Sequence, residues 1–173
     1  MSDDLPLYQR DPEAWRAHLA EGNAKQARKR VAADVLIRDA HGRILLVDPS
    51  YKPDWDLPGG MAEANEPPAE AAGRELREEL ALTVPIGRLL CVDWVGPHGP
   101  WDDSLIFVFD GGTLTGHQAA ELSCTDDELN DVGFFDFDDA AHRLRPYVWQ
   151  RTQAALAALT SGTAIYLHDG MPA

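Results

Sequence analysis

Two β-branched and aliphatic runs, Val31–Arg38 and Arg43–Val47, flank the turn-forming tetrapeptide Asp39-Ala40-His41-Gly42, which predicts a β-hairpin. Upstream, Asp11-Pro12-Glu13 reads as an N-cap, a first-turn proline and a first-turn acid. Trp15 and Leu19 then share one helix face and Gly22 suits a stop, so residues 11–21 are expected to form a short helix. Its apolar side is expected to pack onto the parent domain, with a homodimer contact as the alternative use. Downstream, the Pro- and Gly-rich segment Tyr51–Gly60 reads as a loop and residues 68–80 as a helix. Strands are predicted near 86–95, 104–110 and 132–137, with turns at Gly96–Gly99 and Gly111-Gly112. A final helix over about 147–160 ends at Gly162. Strands interspersed with a few helices predict an α+β or α/β sandwich. No repeat or low-complexity linker interrupts the chain, which divides into an N-terminal helical extension, 1–30, and one domain, 31–173.

Composition narrows the function classes. The 173 residues are 45% hydrophobic and 25% charged, enough apolar material for a core without staples. Cys91 and Cys124 are too few and too far apart for a disulfide framework or a zinc site, so both are expected to be reduced. The start Met1-Ser2-Asp3-Asp4 lacks the basic and apolar regions of a signal peptide, and no apolar run is long enough to span a bilayer. A cytoplasmic protein without a membrane partner is the expectation. The net charge of −14 disfavours a long nucleic acid as ligand, because such a surface repels polyphosphate backbones. A small phosphorylated ligand would need its charge cancelled, and divalent cations are suited to that. The basic run from Lys25 to Arg30 is read as a solvated connector.

The helix over 68–80 carries the chemistry. Pro68 suits the first helical position, and the Ala, Glu, Leu and Arg that follow are good helix formers. Glu75, Glu78 and Glu79 lie three and four residues apart and so cluster on one side, beside a stripe of Ala72, Leu76 and Leu80 that can face a core. Mutual repulsion costs a few tenths of a kcal/mol per exposed pair, part of it relieved by Arg74 and Arg77. Such a face could simply be solvated. It could equally be a carboxylate cage for hard divalent cations, which would neutralise a diphosphate and acidify an attacking water.

The flanks distinguish these readings. From Gly60 to Leu82 the chain resembles the signature of the Nudix hydrolases, with Gly60, Glu66, Arg74, Glu75, Leu76, Glu78, Glu79 and Leu82 each in place. Six strict matches at fixed spacing have a chance probability on the order of one in ten million per starting position. The resemblance extends over roughly residues 31–140, including Leu57-Pro58-Gly59 ahead of the box. It implies a Nudix fold, a mixed β-sheet sandwiched between α-helices, and an Mg²⁺- or Mn²⁺-dependent hydrolase. The substrate implied is a small nucleotide-like compound, a nucleoside diphosphate linked to another moiety. Glu75, Glu78 and Glu79 match the family's metal ligands. Glu66 and Arg74 match a pair that braces loop against helix, and Gly60 matches the point where backbone approaches metal and phosphate.

The chain departs from the pattern at three positions. Ala81 replaces the glycine after Glu-Glu-x; a non-Gly residue in left-handed geometry costs about 1–2 kcal/mol. The expectation is therefore that Ala81 stays helical and that Thr83 and Pro85 end the helix. Asn65 replaces a common glycine and tolerates left-handed geometry. Pro67 stands where a capping Ser often sits, which removes that side-chain cap.

Members of the family often draw one more acid from a later loop. Here the run Asp126-Asp127-Glu128 can supply it, with Glu128 preferred as ligand or general base and Asp127 second; a plain polar loop is the alternative. Trp55 and Trp101, in loops near the expected mouth, are candidate stacking contacts for the substrate, whereas Trp94 on a strand is expected in the core. His98 reads as an ordinary exposed loop histidine. Three rival functions stand beside the hydrolase: a non-catalytic Nudix-fold nucleotide-binding or regulatory module, an isopentenyl diphosphate isomerase, and a messenger-RNA decapping enzyme. The isomerase would need Cys91 in the site, and the acidic charge fits decapping poorly.

Overall fold

A computed structural model describes residues 5–125 and 127–173. The sheet is built on β1 (Arg30–Arg38), a strand buried along most of its length. One edge of β1 pairs in parallel with β5 (Ser104–Thr113), from Arg30↔Ser104 to Arg38↔Thr113. Its other edge is divided: β3 (Gly59–Met61) pairs antiparallel with Ala32–Asp34, and β2 (Ile44–Pro49) meets it only at Arg38↔Ile44. The expected hairpin is thus present but splayed. After the turn, where the Asp39 carboxylate accepts the amides of His41 and Arg43, β2 turns away and pairs with β6 (Leu129–Phe135). On the far side β5 pairs antiparallel with β4 (Leu89–Val95), which pairs in parallel with β7 (Ile165–His168), itself joined to β8 (Met171–Pro172). The strand order is β6-β2-β1-β5-β4-β7-β8, with β3 beside β1.

The period-two alternation of β1 assigns its side chains to two cores. Ala33, Val35 and Ile37 face the helix Pro68–Leu80, which contributes Ala71, Ala72, Leu76 and Leu80. Leu36, on the opposite face, packs with Cys91 and Val108 under the helix Pro146–Ser161, which contributes Val148, Ala155 and Ala158. The expected sandwich, a mixed sheet between helices, is what forms.

In chain order the helices are α1 (Leu7–Arg10), α2 (Pro12–Lys25), α3 (Pro68–Leu80), α4 (Gly116–Ala120), α5 (Phe137–Arg143) and α6 (Pro146–Ser161). Helix α2 starts as expected, with the Asp11 carboxylate accepting the Ala14 N–H at 2.9 Å, but continues past Gly22 to Lys25. No residue of α1 or α2 is buried, contrary to the expected packing of this segment onto the domain. Trp15 instead stacks on His18 at 5.6 Å and meets Tyr8 at 6.4 Å, both within the extension. The strand expected over 132–137 ends at Phe135, because Asp136 caps α5 by accepting the Asp139 N–H. Strands β3, β7 and β8 are too short for their periodicity to be read; β3 forms on the edge of β1, β7 on the edge of β4, and β8 on β7. Among the described residues no helix is long and apolar enough to cross a membrane.

Candidate active site

Helix α3 begins with Pro68 in its first turn and, as expected, has no side-chain cap at Pro67. Its other end corrects the expectation for Ala81, which adopts φ +50°, ψ 22° and is the left-handed cap itself. The Ala81 and Leu82 amides bond back to the carbonyls of Arg77 and Leu76 at 3.1 and 3.0 Å, and Leu82 is buried. That closure satisfies carbonyls at the helix end and docks Leu82 in the core, which together outweigh the cost of left-handed alanine. Asn65 has φ +65°, as its side chain allows.

Folding α3 against β3 sets the box carboxylates beside the Gly59-Gly60 backbone. The Gly59 N–H donates to Glu79 Oε2 at 3.2 Å. A Cβ on Gly60 would stand 2.5–2.8 Å from the Glu75 carboxyl atoms, so no larger residue fits beside that carboxyl as it stands. Arg74 lies among the acids: Nε and Nη2 hold both oxygens of Glu66 at 2.9 and 3.0 Å, and Nη1 reaches Glu75 at 2.9 Å and Glu78 at 2.8 Å. Its Nη2 also donates to the Met61 carbonyl at 3.0 Å, which ties β3 to the helix. Burial pushes the Glu75 carboxyl above its usual range, and the charges of Glu78 and Glu128 add to this while Arg74 opposes it. Among the described residues no three acidic, histidine or cysteine side chains converge as a ready metal cage; Arg74 supplies the positive charge between Glu66, Glu75 and Glu78.

The loop before β6 docks on the same helix end. Thr125 donates its N–H to the Glu79 carbonyl at 2.9 Å and its hydroxyl to the Glu78 carbonyl at 2.6 Å. Ser50 holds the other side, donating its N–H to the Glu128 carbonyl and its hydroxyl to the Asp127 carbonyl. The charge of Glu128 consequently bears on both Glu75 and Tyr51. Asp127 is exposed, and Asp126 lies outside the described residues.

A cleft of about 420 Å³ opens from Glu79, Gly59 and Gly60 across the end of the sheet that α6 leaves uncovered. Trp101 lines it, held in a tight turn by paired backbone bonds with His98 at 3.0 and 2.9 Å, with the Arg30 guanidinium 4.4 Å from its ring. His98 is exposed and also lines the cleft. Trp55 does not. Its ring packs edge-on to Phe135 at 4.8 Å beneath the Arg143 guanidinium, partly buried against the α6-side core, an arrangement that aromatic pairs favour. Trp94 is half-buried on β4 and donates its indole N–H to Asp103 at 2.8 Å. Cys91 is fully buried under α6, does not line the cleft, and has its thiol pushed up to about 12 by burial. An isomerase reading through that thiol therefore has no structural support.

Sequence reasoning missed the polar floor of the cleft. Asp34 of β1, Lys52 and Asp56 of the β2–β3 connection, and Arg151 of α6 all line it. Lys52 and Asp56 form an ion pair, and Arg151 donates from Nε to Asp93 at 2.9 Å. The signal available was Asp34 itself, the one acid inside the otherwise apolar run Val31–Ile37.

The chain matches the NUDIX domain family over residues 28–158 and belongs to it. Among curated proteins it is 41% identical over 80 residues to diphosphoinositol polyphosphate phosphohydrolase 2 of Rattus norvegicus, covering 46% of this chain and 42% of that protein. It is likewise 41% identical over 82 residues to diphosphoinositol polyphosphate phosphohydrolase 3-alpha of Homo sapiens, covering 47% of this chain and 48% of that protein. The chain thus spans under half the length of these relatives. Among solved structures, a MutT NUDIX hydrolase from Burkholderia pseudomallei is 27% identical with a TM-score of 0.61, covering 75% of this chain and 98% of the other. The NUDIX domain of Shewanella oneidensis NrtR, complexed with ADP ribose, is 20% identical with a TM-score of 0.68 over 85% of this chain and 98% of the other; it shares the fold.

Proposed function

We infer that the protein is a metal-dependent pyrophosphohydrolase that cleaves the diphosphate of a nucleoside diphosphate linked to a second group. The observation that carries this is the gathering of Glu75 and Glu79 against the Gly59-Gly60 backbone at one end of a cleft. Glu75, Glu78 and Glu79 would hold Mg²⁺ or Mn²⁺; an all-carboxylate donor set suits a hard cation, and the burial that pushes Glu75 upward, with the charges of Glu78 and Glu128 adding to it, is what a cation would offset. Bound there, the metal would neutralise the diphosphate and acidify a water.

The chain's own residues have separate tasks in this reading. Gly60 lets backbone and diphosphate come close to the Glu75 carboxyl. Glu66 and Arg74 brace β3 and its loop against α3. Glu128 takes the proton of the attacking water, a role supported by its electrostatic reach to Glu75. Trp101, backed by Arg30, offers an aromatic face to a base. The curated relatives point to a second reading, an inositol polyphosphate carrying a diphosphate.

The test is product formation from a panel of nucleoside diphosphate derivatives with Mg²⁺ or Mn²⁺. Glu79→Gln is expected to lower kcat by about two orders of magnitude or more without lowering the melting temperature, since it removes charge and not volume. Wild-type turnover in Glu79→Gln refutes the metal assignment. Nucleotide binding with no turnover in the wild type favours the non-catalytic module instead.

A further inference from the structure

The cleft holds a carboxyl that the proposed chemistry leaves unused. Residues 30, 32 and 34 of β1 alternate onto the cleft side; the next in the series, Leu36, is already covered by α6. Asp34 is only 9% exposed and lines the cleft. The groups that face it are Asp56 and Lys52 from the β2–β3 connection, Arg151 from α6 and Asp93 from β4. Lys52 is committed to Asp56, and Arg151 gives its Nε to Asp93, whose other oxygen accepts the Gly170 N–H at 3.0 Å. What reaches Asp34 is an ion contact from Arg151 Nη1 at 3.6 Å, too long for a hydrogen bond. Among the described residues no group donates a hydrogen bond to its carboxyl.

A buried carboxyl without a donor is costly unless a partner arrives. Asp93 shows what a purely structural acid looks like in this fold: fully buried, with one oxygen on Arg151 and the other on a backbone amide. Asp34 differs in facing open space. The charges lining the cleft also limit what can lie there. Arg30, Lys52 and Arg151 are balanced by Asp34, Asp56 and Glu79, and each cation already has a partner: Trp101, Asp56 and Asp93 respectively. A ring bearing phosphate at every position would press anions onto Asp34 and Asp56 with no cation to spare. A neutral group carrying N–H or O–H donors would satisfy Asp34 directly.

We propose that Asp34 is the specificity-determining residue of the cleft, accepting a hydrogen bond from the neutral base or sugar of a nucleoside diphosphate derivative, and so selects that class over polyphosphorylated rings. This rests on the hydrolase reading for its site and deepens it by naming the residue that reads the neutral half of the substrate. Arg151 and Asp93 are positioning residues that hold the floor beneath it. Burial pushes Asp34 up to about 7, consistent with a carboxyl whose charge the protein leaves largely unsatisfied.

The experiment uses the full chain with Mn²⁺ and compares ADP-ribose with a diphosphoinositol pentakisphosphate, in the wild type, Asp34→Ala and Asp34→Asn. The wild type is expected to prefer ADP-ribose in kcat/KM by about tenfold or more. Asp34→Ala lowers kcat/KM for ADP-ribose by about tenfold, most of it in KM, and Asp34→Asn recovers to within about threefold because the amide keeps an acceptor in place. Should Asp34→Ala not fold, Asp34→Ser carries the same comparison. Thermal shifts with AMP and with ribose 5-phosphate assign the contact, since the half whose protection disappears in Asp34→Ala is the half Asp34 reads. A KM within about twofold of wild type in a folded Asp34→Ala variant, or preference for the inositol compound, overturns the proposal. Protection by ADP-ribose that Asp34→Ala abolishes, without turnover of ADP-ribose or of any member of the nucleoside diphosphate panel in the wild type, refutes the hydrolase reading and leaves this inference standing. Neither protection nor turnover with ADP-ribose overturns it.

Discussion

Asp34 sits one residue from Ala33 and Val35, both fully buried on the α3 face, yet its own side chain points the other way, into the cleft. Its carboxyl is pushed from an ordinary value of 3.8 to about 7, first by burial and then by the charge of Asp56, with Arg151 and Lys52 opposing. The native state therefore holds this proton more tightly than the unfolded chain does. That contribution favours folding below the unfolded value and is lost as pH rises through the native one. Asp34→Asn lacks the term, so its stability relative to wild type should improve steadily between about pH 4 and pH 7 and level off above. Urea unfolding of both proteins at several pH values checks this, and parallel stability curves would contradict it. An acid within Val31–Ile37 was visible in the sequence, but which side of the sheet it faced was not. That depends on the register with β3 and β5, set by residues 25 and more than 70 positions away.

Helix α3 was legible almost to the residue because its determinants are local. Pro68 at the start and a single stripe of Ala72, Leu76 and Leu80 specify it without reference to the rest of the chain. Its C-terminal end was misread. Propensity argued that alanine would avoid left-handed geometry, and the structure places Ala81 there because Leu82 is thereby buried and two helix carbonyls are closed. Ala81→Gly should relieve this strain and stabilise the protein by about 1 kcal/mol, raising Tm by about 2–4 °C for a chain of this size. Calorimetry or denaturant titration reads the effect; an unchanged or lower Tm would mean that glycine's greater unfolded-state entropy cancels it. Short elements were missed for the opposite reason. The two- to four-residue strands β3, β7 and β8 have no periodicity of their own, and α4 and α5 are set by their capping residues Thr115 and Asp136.

Across the whole molecule, one sheet separates two cores: α3 covers one face, while α6 covers only part of the other and leaves the cleft. The box carboxylates approach that cleft because β3 lies along β1 and carries Gly59 and Gly60 to Glu79 and Glu75. The N-terminal helices stand apart from this arrangement, burying none of their residues. A chain beginning at residue 27 should thus unfold within about 0.5 kcal/mol of the full protein and keep its activity, since surface elements without buried contacts contribute little. A loss of several degrees in Tm would show that the extension packs in solution.

The sequence by itself determined the family through its resemblance to a known signature, the sandwich class through its order of strand and helix patterns, and the helix that presents Glu75, Glu78 and Glu79, whose spacing places those side chains by local geometry alone. It also showed Gly60 as a point of close approach, though not that the group approached is Glu75. Only the tertiary structure decided that Trp101 lines the cleft and Trp55 joins a core, and that Asp34, Arg151 and Asp93 meet beneath it. These residues come from β1, α6 and β4, and their proximity results from strand pairing and helix packing over long sequence separations, which no local pattern encodes.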